Sequence, residues 1–273
     1  MTIEVDVAIV GARIAGSVTA ALLGAAGYRV LVVDSATFPS DTMSTHFFRG
    51  AGLGAVLARL ELLDDVLALG SPPLTREYDF RGDDPAPVIE GPQDPGDVGF
   101  CLSVRRRPLD HLLVERARAT PGVEVWEATS ARSLLRDGDC LDAFATFRGA
   151  PEVRFAERLA AHPGLAKQFG RSSPEGRMLG SGPKDAIVRT PAGPGWALVG
   201  DASLSQDPWT GLGMDNAGTH AVFLSEAVDA WLSGRSSETE AFAEYRRRRD
   251  EHAMPGFVMT ADQGRDLSVL AAG

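Results

Sequence analysis

Residues 3–34 read IEVDVAIVGARIAGSVTAALLGAAGYRVLVVD, and their order predicts a strand, a glycine turn, a helix and a second strand. The first strand spans the apolar run Ile3 to Val10, and Gly11 ends it. Small residues from Ile14 to Ala26 predict a helix that lies close to a sheet, and Tyr28 to Val33 predicts the second strand. Nearly uninterrupted apolar strands are typical of parallel sheets buried on both faces, so this stretch predicts a βαβ crossover.

The turn between the first strand and the helix has the spacing of a phosphate-binding loop. Gly11 permits the tight turn, and Gly16 lets the helix pack against the strand. The helix start presents N–H groups and a positive dipole end to a pyrophosphate. Asp34 ends the second strand, 18 residues after Gly16, where a carboxylate binds both hydroxyls of an adenosine ribose. We therefore predict a nucleotide site; a βαβ unit without a nucleotide is the alternative.

The loop departs from the usual G-x-G-x-x-G pattern at one position, because Arg13 replaces the middle glycine. That glycine normally lets the backbone approach the phosphates closely. Two interpretations remain open at this stage: the guanidinium lies near the pyrophosphate, or it points to solvent.

Composition excludes several classes of function. The 273 residues suffice for one large domain or two small ones. Because 27 basic residues face 37 acidic ones, for a net charge of −10, we expect neither nucleic acid nor an anionic membrane as the main partner. The basic run Arg246–Arg249 is expected to be a solvated helix face. Cys101 and Cys140 form no metal-ligand or disulfide pattern, so no metal is expected.

The same features predict location. With so few cysteines, no signal peptide before the first strand and no apolar run of membrane length, we expect a cytoplasmic protein without a membrane span.

Patterns of periodicity predict the remaining elements. Up to residue 126 these are a loop at 35–49, helices in Gly50–Leu69, strands Arg76–Phe80, Pro87–Glu90 and Phe100–Val104, helix Pro108–Thr120 and parallel strand Val123–Trp126. Beyond it come a hairpin turn at 137–139, helices in 140–186, strands Ile187–Thr190 and Trp196–Val199, and helices Met214–Leu232, Ser237–His252 and 256–273.

Residues 195–218, GWALVGDASLSQDPWTGLGMDNAG, form a second group of candidate binding residues. A buried strand should bring Gly200-Asp201 to the sheet edge that holds Gly11, where the carboxylate can accept polyol hydroxyls. A Pro- and Gly-shaped loop then opens the helix near Met214, a second site for a phosphate or a flavin pyrimidine carbonyl. A nucleotide site with two ends predicts a dinucleotide, and a ribityl chain at Asp201 favours FAD over NAD.

Four motifs make the chain resemble the FAD-dependent oxidoreductases of the aromatic-hydroxylase and geranylgeranyl-reductase type. They are V-G-A-R-I-A-G-S at residues 10–17, F-P-S-D-T-M-S-T-H at 38–46, R-R-P-L-D at 106–110 and G-D-A…D-P…G-L-G-M at 200–214. Members with G-A-R at the turn are familiar, so Arg13 fits this resemblance. The resemblance implies an α/β fold, a Rossmann-like FAD-binding domain with a parallel sheet.

The resemblance also implies roles for individual residues. Arg107 would contact the FAD, and the loop Asp41–His46 would lie near the isoalloxazine. His46 and Trp209 are the candidates on the substrate side, although a loop histidine is more often a surface or packing residue. No catalytic residue is assigned. The full predicted cofactor set is Gly11, Arg13, Ala15, Gly16, Asp34, Ser35, Arg107, Gly200, Asp201, Pro208, Gly211, Gly213 and Met214.

The resemblance covers both ends of the chain but not its middle. The substrate sheet that the family carries there is expected to be largely absent. We therefore predict one FAD-binding domain built from residues 1–136 and 187–273 and joined by a mostly helical segment, 140–186. Exposed apolar surface should promote self-association, with partial cover from Phe144, Phe147 and Phe155.

Two functions follow from these expectations. The first is an FAD-dependent oxidoreductase that takes electrons from NADH or NADPH and then oxygenates or reduces a small organic substrate. The second is a flavin- or nucleotide-binding remnant without turnover, because the substrate domain is missing. The identity of the substrate, the choice of nicotinamide and the oligomeric state are left open.

Overall fold

The structure is a computed structural model that describes residues 4–79, 86–90, 96–131 and 186–265. The predictions for 137–139 and 140–186, including the three phenylalanines, and for the chain end after 265 lie outside these residues. The strands, in chain order, are β1 Val7–Val10, β2 Val30–Val33, β3 Phe47–Phe48, β4 Arg76–Asp79, β5 Ala86–Glu90, β6 Leu102–Ser103, β7 Val123–Trp126, β8 Ile187–Val188, β9 Ala192–Gly193, β10 Trp196–Ala197 and β11 Leu204–Ser205. The helices are α1 Ile14–Ala25, α2 Ala55–Arg59, α3 Leu63–Leu67, α4 Arg106–Ala119, α5 Gly213–Leu232 and α6 Glu238–Arg265.

A three-stranded parallel sheet forms the centre of the fold, with β2 between β1 and β7. Val7 pairs with Val30 and Val30 with Val123, and this register continues to the carboxyl ends of the strands. The predicted βαβ crossover is confirmed, since α1 connects two parallel neighbours. The carboxyl ends of all three strands therefore lie along one edge of the sheet.

Helix α1 lies between the sheet and two longer helices, α4 and α5. Its small residues make this close packing possible, and Val18, Ala20 and Leu23 are completely buried. Gly27 ends the helix as predicted: its φ is +95°, and its N–H donates to Gly24 O at 2.9 Å.

Among the described residues only one face of the parallel sheet is covered, whereas the sequence predicts burial of both faces. Val30 and Val32 are buried on the α1 side, but Val10 is 68% exposed and Trp126 39% exposed. Alternation along β1 and β7 therefore gives one covered face and one open face within the described residues. The small and apolar residues of β1 lie on both faces of the sheet. Their pattern therefore does not indicate that only one face is covered.

Two further elements differ from the sequence predictions. The strand near Trp196 is half-buried and pairs antiparallel with β9, a strand that the sequence analysis did not predict. The helices predicted on either side of Pro255 form one continuous helix, α6. Pro255 removes one N–H donor but does not end the helix, because tertiary packing holds both halves. No helix of the described residues is long and apolar enough to cross a bilayer.

The sequence predicts that the whole basic run Arg246–Arg249 on α6 is a solvated face, but the structure shows this for only part of the run. Arg246 and Arg247 are exposed, but Arg249 is only 1% exposed. Its guanidinium donates to Arg189 O at 2.8 Å and to Ser203 Oγ at 2.7 Å, so hydrogen bonds compensate its burial.

The buried His220 on α5 contacts the more exposed His252 on α6, with His252 Nδ1 3.3 Å from His220 Nε2. Burial first, and then His252 and Arg249, lower the pKa of His220 to about 3. The unfolded chain takes up a proton near the ordinary pKa of 6.5, whereas the folded chain stays neutral until about pH 3. Stability should therefore be retained above pH 6.5 and fall as the pH drops from 6.5 towards 3.

We expect His220 to account for a loss of about 2 kcal/mol of unfolding free energy between about pH 7 and about pH 5. Urea unfolding at both pH values measures this loss in the wild-type chain and in His220→Gln, which cannot titrate in this range. His111→Gln, on α4, is the control. An unchanged pH dependence in His220→Gln would contradict the expectation.

Candidate cofactor site

The turn after β1 has the geometry that a phosphate-binding loop requires. Gly11 has a φ of +103°, a conformation that side chains disfavour, and its N–H donates to Val33 O at 2.8 Å. Gly16 lies so close that an added Cβ would stand 1.8 Å from Gly11 O. The helix start is therefore held directly against the turn, with its first N–H groups at the sheet edge.

Asp34 connects the two strand ends through its carboxylate. Oδ2 accepts the N–H of Ala12 at 2.7 Å, and Oδ1 accepts the N–H of Ala36 at 2.8 Å. Each oxygen keeps a second lone pair, so this half-buried side chain can still accept two ribose hydroxyls.

A cavity of about 280 Å³ opens at this edge of the sheet. Its lining residues come from the ends of β1 and β2 and from the chain after β7: Val10, Gly11, Val33, Asp34, Ser35, Thr129, Ser130 and Ala131. The structure thus brings together Gly11, Asp34 and Ser35 of the predicted set. Residues 129–131 were not predicted, although their position after a parallel strand was a usable signal.

Arg13 takes part in an ion-pair cluster that neither sequence interpretation anticipated. Its Nη1 lies 2.5 Å from Oδ2 of Asp110, which is completely buried, and its Nη2 donates to Ser40 Oγ and Asp41 O at 3.2 Å. Arg106 donates from Nε to Asp110 Oδ1 at 2.9 Å. Two guanidinium groups share one carboxylate, so the cluster keeps one net positive charge beside the start of α1.

Arg107, the arginine that the resemblance selected, is exposed on the first turn of α4. Arg106 is the arginine that turns inward to Asp110, four residues further along the same helix face. The i, i+4 spacing within R-R-P-L-D was a signal for this pair.

The second half of the predicted site lies against the first. Gly200 has a φ of +61°, and a Cβ there would stand 3.1 Å from the Cβ of Ala15 on the first turn of α1. Asp201 follows on the surface. Although β10 does not join the parallel sheet in the described residues, the G-D pair still reaches the start of α1.

The loop before α5 contains a short 3₁₀ turn, Pro208–Thr210, and then Gly211, whose added Cβ would stand 3.4 Å from Phe47. Gly213 begins α5 and has open space around it, and Met214 is buried in the core. The side chain of Trp209 lies outside the described residues. The loop thus lies beside Phe47, which directly follows the predicted Asp41–His46 loop.

Asp215, on the first turn of α5, binds the segment that contains Arg49 and Leu53. The sequence analysis did not identify this residue. The buried carboxylate accepts the N–H of Arg49 at 3.0 Å and of Leu53 at 2.9 Å. Burial raises the pKa of Asp215 to about 6, against the lowering effect of these hydrogen bonds and of the Arg49 charge. The Asp215 carboxylate therefore fixes the irregular turn Gly50–Gly54. Gly52 in this turn lies so close to the carboxylate that a side chain would not fit there.

His46 directly precedes Phe47. Its φ is +62°, and its carbonyl accepts the N–H of Val104 at 2.8 Å. Partial burial and then the charges of Arg106 and Arg105 lower its pKa. The imidazole is therefore neutral at neutral pH. No group of three metal-ligating side chains occurs within the described residues.

These features fit a dinucleotide better than a bare structural unit. A left-handed glycine turn with the start of α1 packed directly on it, a strand-end carboxylate with unused lone pairs, a cavity beside it and a positive cluster at the helix start suit ribose and pyrophosphate together. Fold and site thus define a Rossmann-like dinucleotide-binding domain of the α/β class. The family described as FAD binding domain matches residues 4–157, more than half of the sequence, and the chain belongs to this family.

Several solved structures described as flavin-dependent proteins share this fold. A probable FAD-dependent monooxygenase from Pseudomonas aeruginosa, PqsL, has a TM-score of 0.75 at 18% identity, covering 98% of this chain and 96% of its own. The myxobacterial chondrochloren halogenase CndH reaches 0.71 at 20% identity, covering 93% and 81%. A flavoprotein/dehydrogenase from Cytophaga hutchinsonii reaches 0.72 at 16%, covering 90% and 82%. No curated protein matches the chain. The predicted family and fold class are confirmed.

Proposed function

We propose that the chain is an FAD-dependent oxidoreductase that is reduced by NADH or NADPH and then oxygenates or reduces a small organic substrate. The observation that carries this proposal is the cavity at the sheet edge, where Asp34 offers free lone pairs beside the Gly11 turn. Bound FAD would supply the electron transfer, and the protein would supply position and electrostatics.

The predicted residues divide by position between the two ends of the cofactor. Asp34 and Ser35 would hold the adenosine ribose, and the start of α1 with Gly16 and Ala15 would face the pyrophosphate. Arg13 lies directly before α1 and shares the Asp110 carboxylate with Arg106, so the cluster keeps one net positive charge, which favours the anion at this position. Gly200 and Asp201, beside Ala15, would hold the ribityl chain. We keep Arg107 as a candidate contact, with Arg106 as the better placed arginine.

Pro208, Gly211, Gly213 and Met214 would form the flavin side of the loop, since α5 begins there and offers N–H groups to a pyrimidine carbonyl. His46 and Trp209 remain candidates for the substrate side. The neutral imidazole of His46 suits hydrogen bonding or proton acceptance rather than charge. PqsL has been solved in complex with 2-aminobenzoylacetate, which supports a small organic molecule as the substrate class.

The domain organisation stays a proposal: one FAD-binding domain from residues 1–136 and 187–273, with 140–186 as its connection. A flavin- or nucleotide-binding remnant without turnover is the second candidate. The open sheet face at Val10 and Trp126 favours it, because apolar side chains there have no cover among the described residues. The same face supports the proposal of self-association.

One experiment tests the first function against the second. The purified full-length chain is loaded with FAD, and NADH or NADPH is added without oxygen while the flavin absorbance near its long-wavelength band is followed. We expect bleaching with one nicotinamide, and air should restore the band. FAD binding without bleaching by either nicotinamide contradicts the nicotinamide-dependent reaction and favours the remnant. Failure to bind FAD contradicts the first function and leaves a remnant that binds another nucleotide.

A further inference from the structure

Burial of the Arg249 guanidinium costs free energy, and hydrogen bonds to its partners offset that cost. Buried arginines are rare unless their donors are satisfied. Arg249 contacts the neighbouring Asp250 carboxylate, and its Nη1 reaches across to Arg189 O and Ser203 Oγ. The last two acceptors belong to the segments that flank the Gly200–Asp201 turn.

Tyr245 holds the other side of the same turn. Its hydroxyl donates to Leu198 O at 2.7 Å, and the side chain is completely buried one helical turn before Arg249. Helix α6 therefore holds the backbone before the turn through Tyr245 and the Ser203 hydroxyl after it through Arg249. The two attachment points, Leu198 and Ser203, are only five residues apart.

The turn between these points depends on such support. Gly200 is in a left-handed conformation against Ala15, and Asp201 is exposed. Within the described residues the Asp201 side chain has no hydrogen bond that would fix it. Arg189 Nη1 donates to Ala202 O at 3.0 Å, and Arg189 in turn is held by Arg249 through its carbonyl. The position of the Asp201 carboxylate is thus determined by backbone that α6 holds.

We infer that Arg249 and Tyr245 are positioning residues that hold Gly200–Asp201 in place for the ribityl end of FAD. The inference rests on the proposed function. Neither side chain needs to touch the cofactor. The adenosine end, at Gly11 and Asp34, is held by other contacts and does not depend on α6 in this way.

Binding of two ligands to the full-length, flavin-free chain separates these ends. FAD requires both ends of the site, whereas ADP uses only the adenosine end. We expect Arg249→Met to raise the Kd for FAD about tenfold or more and to leave the Kd for ADP within about twofold. Tyr245→Phe keeps the ring and should give a smaller effect of the same kind. Arg247→Met is the matched control, since Arg247 is exposed and pairs with Glu244 and Glu251 on its own helix.

A double-mutant cycle tests whether Arg249 acts through Asp201. Asp201→Ala should itself weaken FAD, and Arg249→Met should add less than about twofold in that background. Arg249→Lys, which can restore one donor, should recover part of the affinity. Equal weakening of FAD and ADP, full additivity with Asp201→Ala, or unchanged FAD binding in Arg249→Met and Tyr245→Phe would each overturn the inference. If the wild-type chain bound ADP and FAD but Asp201→Ala had no effect, the positioning role would fail while the proposed function stood.

Discussion

Gly16→Ala is expected to destabilise the fold and to abolish FAD binding. An added Cβ would stand 1.8 Å from Gly11 O and 3.2 Å from Cγ2 of Ile9. The nearer atom is backbone, and the Gly11 N–H is bound to Val33 O, so the turn cannot yield without breaking the sheet edge. Overpacking of this kind costs about 3 kcal/mol or more. The shift would also move the start of α1 away from the pyrophosphate position.

Urea unfolding and FAD titration together measure this effect. For the unfolding measurement Gly213→Ala is the matched control, because a Cβ there meets no atom within 4 Å and the residue begins a helix. Its stability should be unchanged or higher by roughly 0.5–1 kcal/mol, as expected when alanine replaces glycine in a helix. Wild-type stability in Gly16→Ala would contradict the close packing of α1 on the Gly11 turn.

The sequence was sufficient to predict the β1–α1–β2 unit because its signals are local. Gly11, Gly16 and Gly27 stand where turn geometry, helix packing and helix termination require them, and the strands between them are apolar. Strand β7 was also predicted with its observed bounds, since the turn before it and its short apolar run leave few alternatives. The long helix α5 was predicted to within one residue of its start.

Interactions between distant residues were not predictable. Arg13 and Asp110 lie 97 residues apart, and no spacing rule links them. The burial of Arg249 within a basic run depends on acceptors at Arg189 and Ser203 that only the folded chain brings near. A run of charges indicates a solvated face only when no neighbouring segment packs on it.

The open face of the parallel sheet has a similar cause. Hydrophobic periodicity reports which residues tolerate burial, whereas a second layer must come from another part of the chain. Val10 and Trp126 end strands whose carboxyl ends were predicted correctly, and both still remain exposed. The candidate site was therefore predicted best where one βαβ unit builds it, and least where α4 and α6 contribute Arg106 and Arg249.

Asp34→Ala is expected to weaken FAD binding at least about a hundredfold, because two charge-assisted hydrogen bonds to the ribose would be lost. The carboxylate also has a structural role, since it accepts the N–H groups of Ala12 and Ala36. Ala12 is completely buried, so its N–H would be left without an acceptor, at a cost of about 1–3 kcal/mol in unfolding free energy. Unfolding and FAD titration should therefore both change.

Two further variants separate the ligand contribution from the structural one. Asp34→Asn keeps an acceptor oxygen for one of the two N–H groups, so it should recover part of the stability but little of the FAD affinity. Asp6→Ala is the matched control at the amino end of the same strand pair, where Asp6 accepts the Arg29 N–H at 2.8 Å. That variant should lose the exposed Arg29 contact without affecting FAD. If Asp34→Ala bound FAD as tightly as the wild-type chain, the ribose assignment would be wrong, and the carboxylate would act only as the structural connection between β2 and the Gly11 turn.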